Sequence, residues 1–229
     1  MNAVTEPREP SNREPVTSAL ASMLSTCTTC RVWAEQDEGP YHLDAQPERR
    51  DIVEDCEGVP LQLGIRLAGN DGTPVQDATV EIWQCDALGR YSGFPPPNDS
   101  VAVTASSAPR GEYLPDRSFL RGRQRSDAAG MVEFHTVHPG WYPGRTVHIH
   151  VMVHVGDTTL TSQLYFPDDL NADVLAREPY SRRPDRDTTN DTDAIFPTGG
   201  EPAVLDVSRD RDDYTAAICL VVPAIGTVS

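Results

Sequence analysis

Apolar and polar residues alternate along several short segments of the chain. Every second residue from Leu61 to Leu67 in VPLQLGIRLAG is apolar, which predicts a strand with one buried face. ATVEIWQCD repeats the pattern, with Val80 and Ile82 on a shared face. TVHIHVMVHV also has period two, and TLTSQLYFP follows it across a short Gly-Asp turn. These last two segments are therefore predicted to pair as antiparallel strands.

Further strands are predicted on both sides of these segments. FLRGRQRSD and GMVEFHTV flank a turn from Asp127 to Gly130 and are predicted to form a hairpin. YTAAICLVVP predicts a last core strand, whereas residues 94–118 and 167–200 lack a period and predict loops and turns. About seven or eight short strands without a long helix favour an all-β fold, a β-sandwich of two mainly antiparallel sheets with long connecting loops.

The first 36 residues differ from the rest of the chain. Residues 1–16 are charged and proline-rich, which predicts a flexible N-terminal arm. SALASML, from Ser18 to Leu24, predicts either a short helix or an apolar patch that packs on a neighbouring chain, as in a homodimer. We therefore divide the chain into an arm over residues 1–36 and one β-sandwich domain over residues 37–229.

The charge balance argues against some classes of partner. Asp and Glu outnumber Lys and Arg by 35 to 19, for a formal net charge of −16, and such a surface repels phosphate backbones and anionic membranes. No stretch reaches the roughly 18 apolar residues of a membrane span. We therefore expect neither a nucleic-acid nor a membrane partner. The N-terminus lacks the apolar core of a secretory signal, which predicts a cytoplasmic protein, or a secreted one if a leader has been removed.

The five cysteines have no regular spacing and their number is odd, so they do not predict a disulfide framework. Cys27 and Cys30 form a single CxxC pair. Such a pair is a disulfide, half of a metal site or neither, and the sequence leaves these alternatives open.

The densest group of chemically active residues lies in the segment WYPGRTVHIHV. On a strand, His148 and His150 point to the same side with Cα atoms about 6–7 Å apart, so both imidazoles can bind one metal ion. Two solvent-facing histidines are the alternative, because the HxH motif is short. Tyr142 and Arg145 precede the pair, and Tyr91 follows a strand and turn. Imidazole suits iron, zinc and copper, whereas a phenolate favours a strongly Lewis-acidic ion such as Fe(III).

Four blocks of the sequence resemble the intradiol ring-cleavage dioxygenases and occur in the family's order: EIWQCDALGRYSGF, FLRGRQRSDAAGMVEF, HPGWYPGRTVHIHV and TSQLYFP. That family consists of nonheme Fe(III) enzymes and includes the catechol, hydroxyquinol and protocatechuate dioxygenases. The resemblance implies that Tyr91, Tyr142, His148 and His150 bind the iron. It also implies a small aromatic diol as substrate and O2 as co-substrate. The ring would open between the two hydroxyl-bearing carbons to give a cis,cis-muconate-type diacid.

The same resemblance implies individual roles within this set. Tyr142 and His150 would be the axial ligands, and Tyr91 and His148 the equatorial ones. The catechol would displace Tyr142, whose phenolate then takes up a substrate proton as a general base. Arg145 would stabilise negative charge that develops on the substrate. The alternative role of Arg145 is an ion pair with a surface carboxylate.

Some residues match the family less specifically. The residues expected on the substrate side of the site are Gly39, Pro40, Tyr41 and Gln163. The first three match a GPY element at the substrate mouth, and Gln163 matches a glutamine that orients Arg145 or a ligand. The alternative for Gln163 is a polar residue at a sheet edge. Trp83 is expected to form a wall of either the pocket or the core.

His135 and His138 match no ligand position and are interpreted as surface histidines, with groups that support the ligand residues from behind as the alternative. Two other classes of function are compatible with the sequence. One is a noncatalytic β-sandwich module that binds a ligand or partner and has lost its iron. The other is a zinc or copper protein that uses the HxH pair. The presence of all four ligand residues favours the enzyme over the module.

Overall fold

The computed structural model describes residues 17–26, 30–44, 46–95 and 117–222, apart from the side chains of Ala19 and Thr26. Eight strands lie in these residues: β1 Pro60–Ala68, β2 Thr79–Trp83, β3 Arg121–Arg125, β4 Met131–Val137, β5 His148–Val155, β6 Thr158–Tyr165, β7 Asp206–Asp210 and β8 Asp213–Val221. Two helices accompany them, α1 Ser18–Thr26 and α2 Asp168–Leu175. In the same residues, no helix is both long and apolar enough to cross a membrane.

The strands form two four-stranded sheets, which confirms the predicted β-sandwich. One sheet has the order β4-β1-β8-β7 and the other the order β3-β2-β5-β6. Only the β1–β8 pairing is parallel among the six pairings of the described strands. The predicted pairing of β5 with β6 is present, with His150 opposite Gln163. The second sheet, and β5 within it, carries the candidate site.

The period-two pattern decides which side chains enter the core. Leu61, Leu63, Ile65 and Leu67 of β1 are all buried, as are Val147, Ile149, Val151 and Val153 in and beside β5. These side chains belong to one apolar cluster between the two sheets. Because side chains on a strand alternate, the histidines of β5 point away from this core. The strand therefore has one apolar face and one face that is available for chemistry.

The hairpin predicted from residues 119–137 is wrong. The turn itself is present, because the Asp127 side chain accepts hydrogen bonds from the main-chain N–H groups of Ala129 and Met131. However, β3 pairs with β2 in one sheet and β4 pairs with β1 in the other. A turn motif fixes the reversal of the chain but does not determine whether the flanking strands pair with each other. Here the turn connects the two layers of the sandwich.

The prediction of loops and turns alone over residues 167–200 is also wrong, because α2 lies in this range. Asp168 and Asp169 occupy its first turn, where carboxylates interact favourably with the positive end of the helix dipole. Asn171 and Val174 are its buried residues. The remainder of the range contains single turns of 3-10 helix. Only two of the eight residues of α2 are buried, so its apolar period is too weak to be visible in the sequence.

The N-terminal segment is packed where it is described. Leu20 and Leu24 of α1 are fully buried and pack on Gly64 of β1, where a Cβ atom would lie 2.8 Å from Leu20 Cδ2. The predicted short helix is therefore present, and its leucines pack on the chain's own sheet rather than on a neighbouring chain. Residues 1–16 lie outside the described residues. The boundary between residues 36 and 37 stays a prediction.

A disulfide joins Cys30 to Cys219 of β8. Arg31 forms a parallel bridge with Leu220, which brings the two cysteine Cα atoms to 4.5 Å. The CxxC motif therefore does not provide half of a metal site through Cys30, because its sulfur is bonded elsewhere. Its partner in the motif, Cys27, lies outside the described residues. A pairing between residues so distant in sequence leaves no local spacing pattern.

Candidate metal centre

The turn after β2 places Tyr91 beside the segment that carries Tyr142. Asp86 accepts hydrogen bonds from the main-chain N–H groups of Leu88 and Arg90, each at 2.9 Å. Gly89 has a positive φ of 77°, and a Cβ atom there would lie 2.3 Å from the carbonyl oxygen of Trp141. Only glycine permits this close approach. The loop of Tyr91 is thereby held against the residue that precedes Tyr142.

Four side chains converge at this end of the second sheet. Tyr142 lies in a tight turn closed by a hydrogen bond from the Arg145 N–H to the Tyr142 carbonyl, and His148 and His150 lie at the start of β5. The Tyr142 hydroxyl is 3.1 Å from His148 Nε2, which is 3.1 Å from His150 Nε2. The Tyr91 ring centroid is 5.8 Å from that of Tyr142 and 6.1 Å from that of His150. None of the four side chains is more than 3% exposed.

Tyr142 and His148 are connected to each other by polar contacts. We call these two candidate metal-binding side chains the polar half of the site. Nδ1 of His148 contacts the carbonyl oxygen of Thr146 at 2.7 Å. A carbonyl can only accept, so Nδ1 carries the proton and Nε2 presents its lone pair toward the Tyr142 hydroxyl and His150. This is the tautomer in which Nε2 can bind a metal ion.

The other two donors, Tyr91 and His150, lie among rings, and we call them the aromatic half. Trp83 stacks on the His150 imidazole with centroids 4.9 Å apart and an interplanar angle of 4°. Tyr41 stacks on Tyr91 at 4.2 Å and 11°. Gly39 lies at the edge of His150, where a Cβ atom would be 3.1 Å from Cε1. Nδ1 of His150 and the hydroxyl of Tyr91 have no hydrogen-bond partner among the described residues.

Burial keeps the donors neutral in the metal-free protein. It lowers the pKa of His148 to about 3, with Arg145 adding to the effect, and it lowers the pKa of His150 well below its usual value. Burial likewise raises the pKa of Tyr142 to about 12, although the charge of Arg145 acts in the opposite direction. The pKa of Tyr91 is also raised well above its usual value by burial and by Tyr142. Neutral imidazole is the form that binds metals.

The residues present fit a ferric ion. Two imidazole nitrogens and two phenol oxygens lie together in a buried site, and the Tyr91 oxygen is a buried polar atom with no hydrogen-bond partner in the part of the chain that the structure describes. Burying a polar atom without a hydrogen bond costs free energy, and coordination to a cation would supply the missing interaction. A trivalent ion also favours the phenolate form against the desolvation that raises the pKa of both tyrosines.

A buried polar network adjoins the polar half and includes one residue that the sequence analysis missed. Arg145, expected as a catalytic residue, donates from Nε to Asp193 at 2.9 Å and from a terminal nitrogen to Gln163 Oε1. Asp193 is 3% exposed and also accepts the N–H of Thr146 at 2.7 Å. The surface ion pair considered for Arg145 is therefore wrong, because its carboxylate partner is buried. Gln163 does lie on an edge strand, β6, as its alternative interpretation has it, but it is fully buried and bonded to Arg145.

A second buried guanidinium, Arg121 of β3, was also missed. It is 1% exposed and connects the two segments that carry Tyr41 and Tyr91. It donates to the Tyr41 carbonyl at 2.7 Å, to the Ser92 hydroxyl at 2.8 Å and to the Ser92 carbonyl at 2.9 Å. These contacts link residues about 30 and 80 positions away in sequence, so a local pattern could not reveal them.

The two histidines just upstream of Tyr142, His135 and His138, differ in their burial. His138, interpreted as a surface residue, is fully buried and packs on Phe166 with centroids 4.4 Å apart. The interpretation as a surface residue is therefore wrong for His138. This histidine follows the buried Val137 at the end of β4, and Phe166, which precedes α2, covers its ring. His135 is partly exposed and contacts Glu133, in agreement with a surface position. Trp83, for which pocket and core were open, packs directly on His150.

Comparisons with known proteins agree with this arrangement. A sequence model of the family described as "Dioxygenase" matches residues 37–183. Protocatechuate 3,4-dioxygenase beta chain from Burkholderia cepacia is 32% identical over 161 residues, covering 65% of this chain and 60% of that protein. Chlorocatechol 1,2-dioxygenase from Rhodococcus opacus is 26% identical over 152 residues, covering 58% and 53%. The chain thus spans between 53% and 60% of the length of these two relatives.

A solved structure covers more of the chain. The intradiol ring-cleavage dioxygenase from Tetranychus urticae superposes with a TM-score of 0.75 and is 31% identical, covering 86% of this chain and 96% of that one. The matching family region contains all four donors. The chain belongs to the intradiol ring-cleavage dioxygenase family.

Proposed function

We propose that the protein opens the aromatic ring of a catechol-type substrate between its two hydroxyl-bearing carbons, using Fe(III) and O2, to give a cis,cis-muconate-type diacid. The observation that carries this proposal is the convergence of two phenols and two imidazoles at one buried point beside a paired arginine. Family membership supports the same reaction class. Relatives in the family are named for protocatechuate and chlorocatechol, both of which contain the ortho-diol.

Tyr91, Tyr142, His148 and His150 would hold the iron. When bound there, ferric iron would supply Lewis acidity toward the two oxygens of the diol. Tyr142 is suited to proton transfer, because its oxygen lies within hydrogen-bonding distance of His148 Nε2 and its pKa is subject to the lowering effect of Arg145. Its oxygen would accept a proton from a substrate hydroxyl. Tyr91, which has no such contact among the described residues, would serve as a fixed donor.

Arg145 would stabilise negative charge on the substrate during ring opening. Arg145 is 7% exposed, and in such a site a charge is screened little by water. It lies three residues after Tyr142 and three before His148, and its main-chain N–H closes the turn at the Tyr142 carbonyl. A fixed guanidinium needs no reorganisation as charge develops, which is the basis of electrostatic stabilisation by preorganised groups.

The substrate ring would lie against aromatic side chains. Tyr41 stacks on Tyr91, and Phe94 meets Tyr41 edge-on with centroids 5.2 Å apart. Flat apolar walls favour an aromatic ring and exclude water from it. We keep Gly39, Pro40, Tyr41 and Gln163 as residues of the substrate side in this proposal. Gln163 would act there through its contact with Arg145.

The test is reconstitution with ferric iron followed by a panel of catechols. We expect a visible band from phenolate-to-iron charge transfer, O2 uptake, and growth of a muconate-type absorption with at least one catechol. Tyr91→Phe should lower turnover by at least about 100-fold and weaken the visible band, because one of the two phenolate donors is lost. Tyr180→Phe is the matched control, since Tyr180 is a buried phenol that contacts Val59 and His138 instead.

Different outcomes identify the other functions. Tyr91→Phe with unchanged iron content and ring-opening rate would contradict the ligand assignment. A yellow, aldehydic product would show cleavage beside the diol rather than within it. Binding of zinc or copper by the two histidines, with indifference to both tyrosines, would favour the HxH metalloprotein. A protein that takes up no metal but still binds catechols would favour the ligand-binding module.

A further inference from the structure

We propose that Asp193 is a positioning residue that holds the Arg145 guanidinium in the orientation needed for the reaction. The inference rests on the proposed function, because it assigns a partner to the catalytic arginine. Asp193 lies ten residues beyond the end of the family-model match and in none of the four sequence blocks that carry the resemblance.

The Asp193 carboxylate has both oxygens committed. Oδ2 accepts from Arg145 Nε at 2.9 Å and from the Thr146 N–H at 2.7 Å. Oδ1 accepts from the N–H groups of Ile195 and Phe196 at 2.7 and 2.9 Å. Two main-chain bonds thus fix the carboxylate to its own turn, and the other two connect it to the catalytic segment. A carboxylate held in this way presents a fixed acceptor rather than a mobile one.

The arginine is therefore held from two sides. Asp193 binds Nε, and Gln163 of β6 binds one terminal nitrogen. Gln163 is itself fixed, since its amide nitrogen donates to the Asp37 carbonyl at 3.0 Å. A planar guanidinium bound at two of its nitrogens has one orientation. Asp193 is the charged member of this pair of anchors.

Charge also distinguishes Asp193 from Gln163. Both Arg145 and Asp193 are buried, and a buried guanidinium without a nearby carboxylate carries a large desolvation cost. Arg145 and its neighbours hold the pKa of Asp193 below its usual range even though burial acts in the opposite direction. Removing the carboxylate therefore leaves a guanidinium that can lower its free energy by turning toward water. That rotation would take it away from the position at which charge develops.

The experiment is a double-variant cycle on the full chain. Asp193→Asn keeps the shape of the side chain and removes its charge. We expect kcat to fall on the order of 100-fold, with KM and iron content within about threefold, because a small misplacement of a catalytic group has effects of this size. In an Arg145→Ala background, Asp193→Asn should lower kcat by less than about threefold, because its target is already gone.

Asp168→Asn is the matched control. Asp168 anchors the same segment, through Arg186 and the N–H of Asn190 at 3.1 Å, without touching Arg145. We expect kcat of this variant to stay within about threefold of the wild type. If Asp168→Asn lowers kcat as much as Asp193→Asn does, general docking of the segment explains the effect. If Asp193→Asn lowers kcat equally with and without Arg145, the positioning role is refuted.

A measurement without iron separates this inference from the proposed function. Unfolding of the iron-free variants in urea measures the coupling between Arg145 and Asp193. Asp193→Asn should lower the urea midpoint of unfolding less in the Arg145→Ala background than in the wild type. Absence of coupling would overturn the pairing even if the wild type opens catechol rings. Coupling in a protein that opens no ring would leave the pair intact and remove the reaction. Asp193→Glu, which keeps the charge, should recover part of kcat if Asp193→Asn is too unstable to assay.

Discussion

The two halves of the candidate metal centre are fixed by different kinds of interaction. In the polar half, His148 is oriented by a hydrogen bond to the Thr146 carbonyl, and Tyr142 lies next to an arginine paired with a carboxylate. In the aromatic half, His150 has no Nδ1 partner among the described residues and is oriented by stacking on Trp83. Stacking fixes the plane of a ring but leaves its polar atoms unsatisfied, whereas a hydrogen bond fixes the tautomer as well.

This difference indicates a division of labour between the two tyrosines. The phenol proposed to accept a substrate proton, Tyr142, belongs to the half with polar neighbours, which can accommodate a change of charge. Tyr91, which is expected to remain bound, belongs to the half where aromatic rings restrict its movement. A rigid apolar environment suits a donor that stays in place, and a polar environment suits one that changes its protonation state.

The largest expected effect comes from removing the stacking partner of His150. Trp83→Leu should lower the free energy of unfolding by roughly 3 kcal/mol through loss of buried ring contacts. It should also weaken iron binding, because the His150 ring is no longer held in its plane. Trp33→Leu is the control, since Trp33 is a buried tryptophan that donates to the Val221 carbonyl. Urea unfolding and iron titration check both. Equal iron affinity in the two variants would contradict the claim that stacking on Trp83 orients His150 for metal binding.

A third buried histidine, His138, lies outside the candidate site and gives the free energy of unfolding a pH dependence that comes mainly from burial. Burial lowers the pKa of His138 to about 4, so the unfolded chain takes up a proton first as the pH falls. The contribution of His138 to stability is complete above its unfolded pKa near 6.5 and is lost between there and about pH 4.

Between pH 7.5 and pH 5, the protonation of His138 in the unfolded chain should lower the free energy of unfolding by about 2 kcal/mol. His138→Gln should remove that part of the pH dependence, whereas His135→Gln, at a partly exposed side chain, should leave it in place. Urea unfolding of the iron-free proteins at both pH values provides the measurement. An unchanged pH dependence in His138→Gln would mean that other groups determine it.

The smallest effect is expected from adding a methyl group at Gly39, beside the edge of the His150 ring. Gly39 and Gly72 both have positive φ, of 72° and 81°, so alanine should cost about 1 kcal/mol at either position. Only at Gly39 would the new methyl group meet His150, at 3.1 Å, while nothing lies within 4 Å at Gly72. Gly39→Ala should therefore shift the visible band of the iron-loaded protein, and Gly72→Ala should not. Identical spectra would show that the ring tolerates displacement.

The fold was largely predictable because alternation of apolar residues determines which face of a strand is buried. It placed Ile149 and Val151 in the core, and therefore His148 and His150 together on the other face. The pairing of β3 and β4 was not predictable, because the same turn serves a hairpin or a connection between sheets. The helix at Asp168 was missed because few of its residues are buried.

Parts of the site depend on contacts between distant segments. Asp193 approaches Arg145 across 48 positions, and Arg121 reaches Tyr41 across 80. Each is a charged residue in a polar stretch, and its local sequence is that of an exposed loop or strand. What makes each residue important is the burial that the assembled sandwich imposes on it. Such burial is a property of the packed layers and has no signature in neighbouring residues.

The covalent bond between Cys30 and Cys219 spans 189 positions of the chain. A cross-link over so long a loop removes much of the freedom of the unfolded ensemble, which amounts to about 5 kcal/mol in the chain-entropy description. The same bond keeps the stretch that leads to Gln36, a partner of the Tyr165 hydroxyl, next to the last strand. Reduction of this bond by a thiol is therefore expected to lower the free energy of unfolding, so the stability of the protein should depend on the redox state of its surroundings.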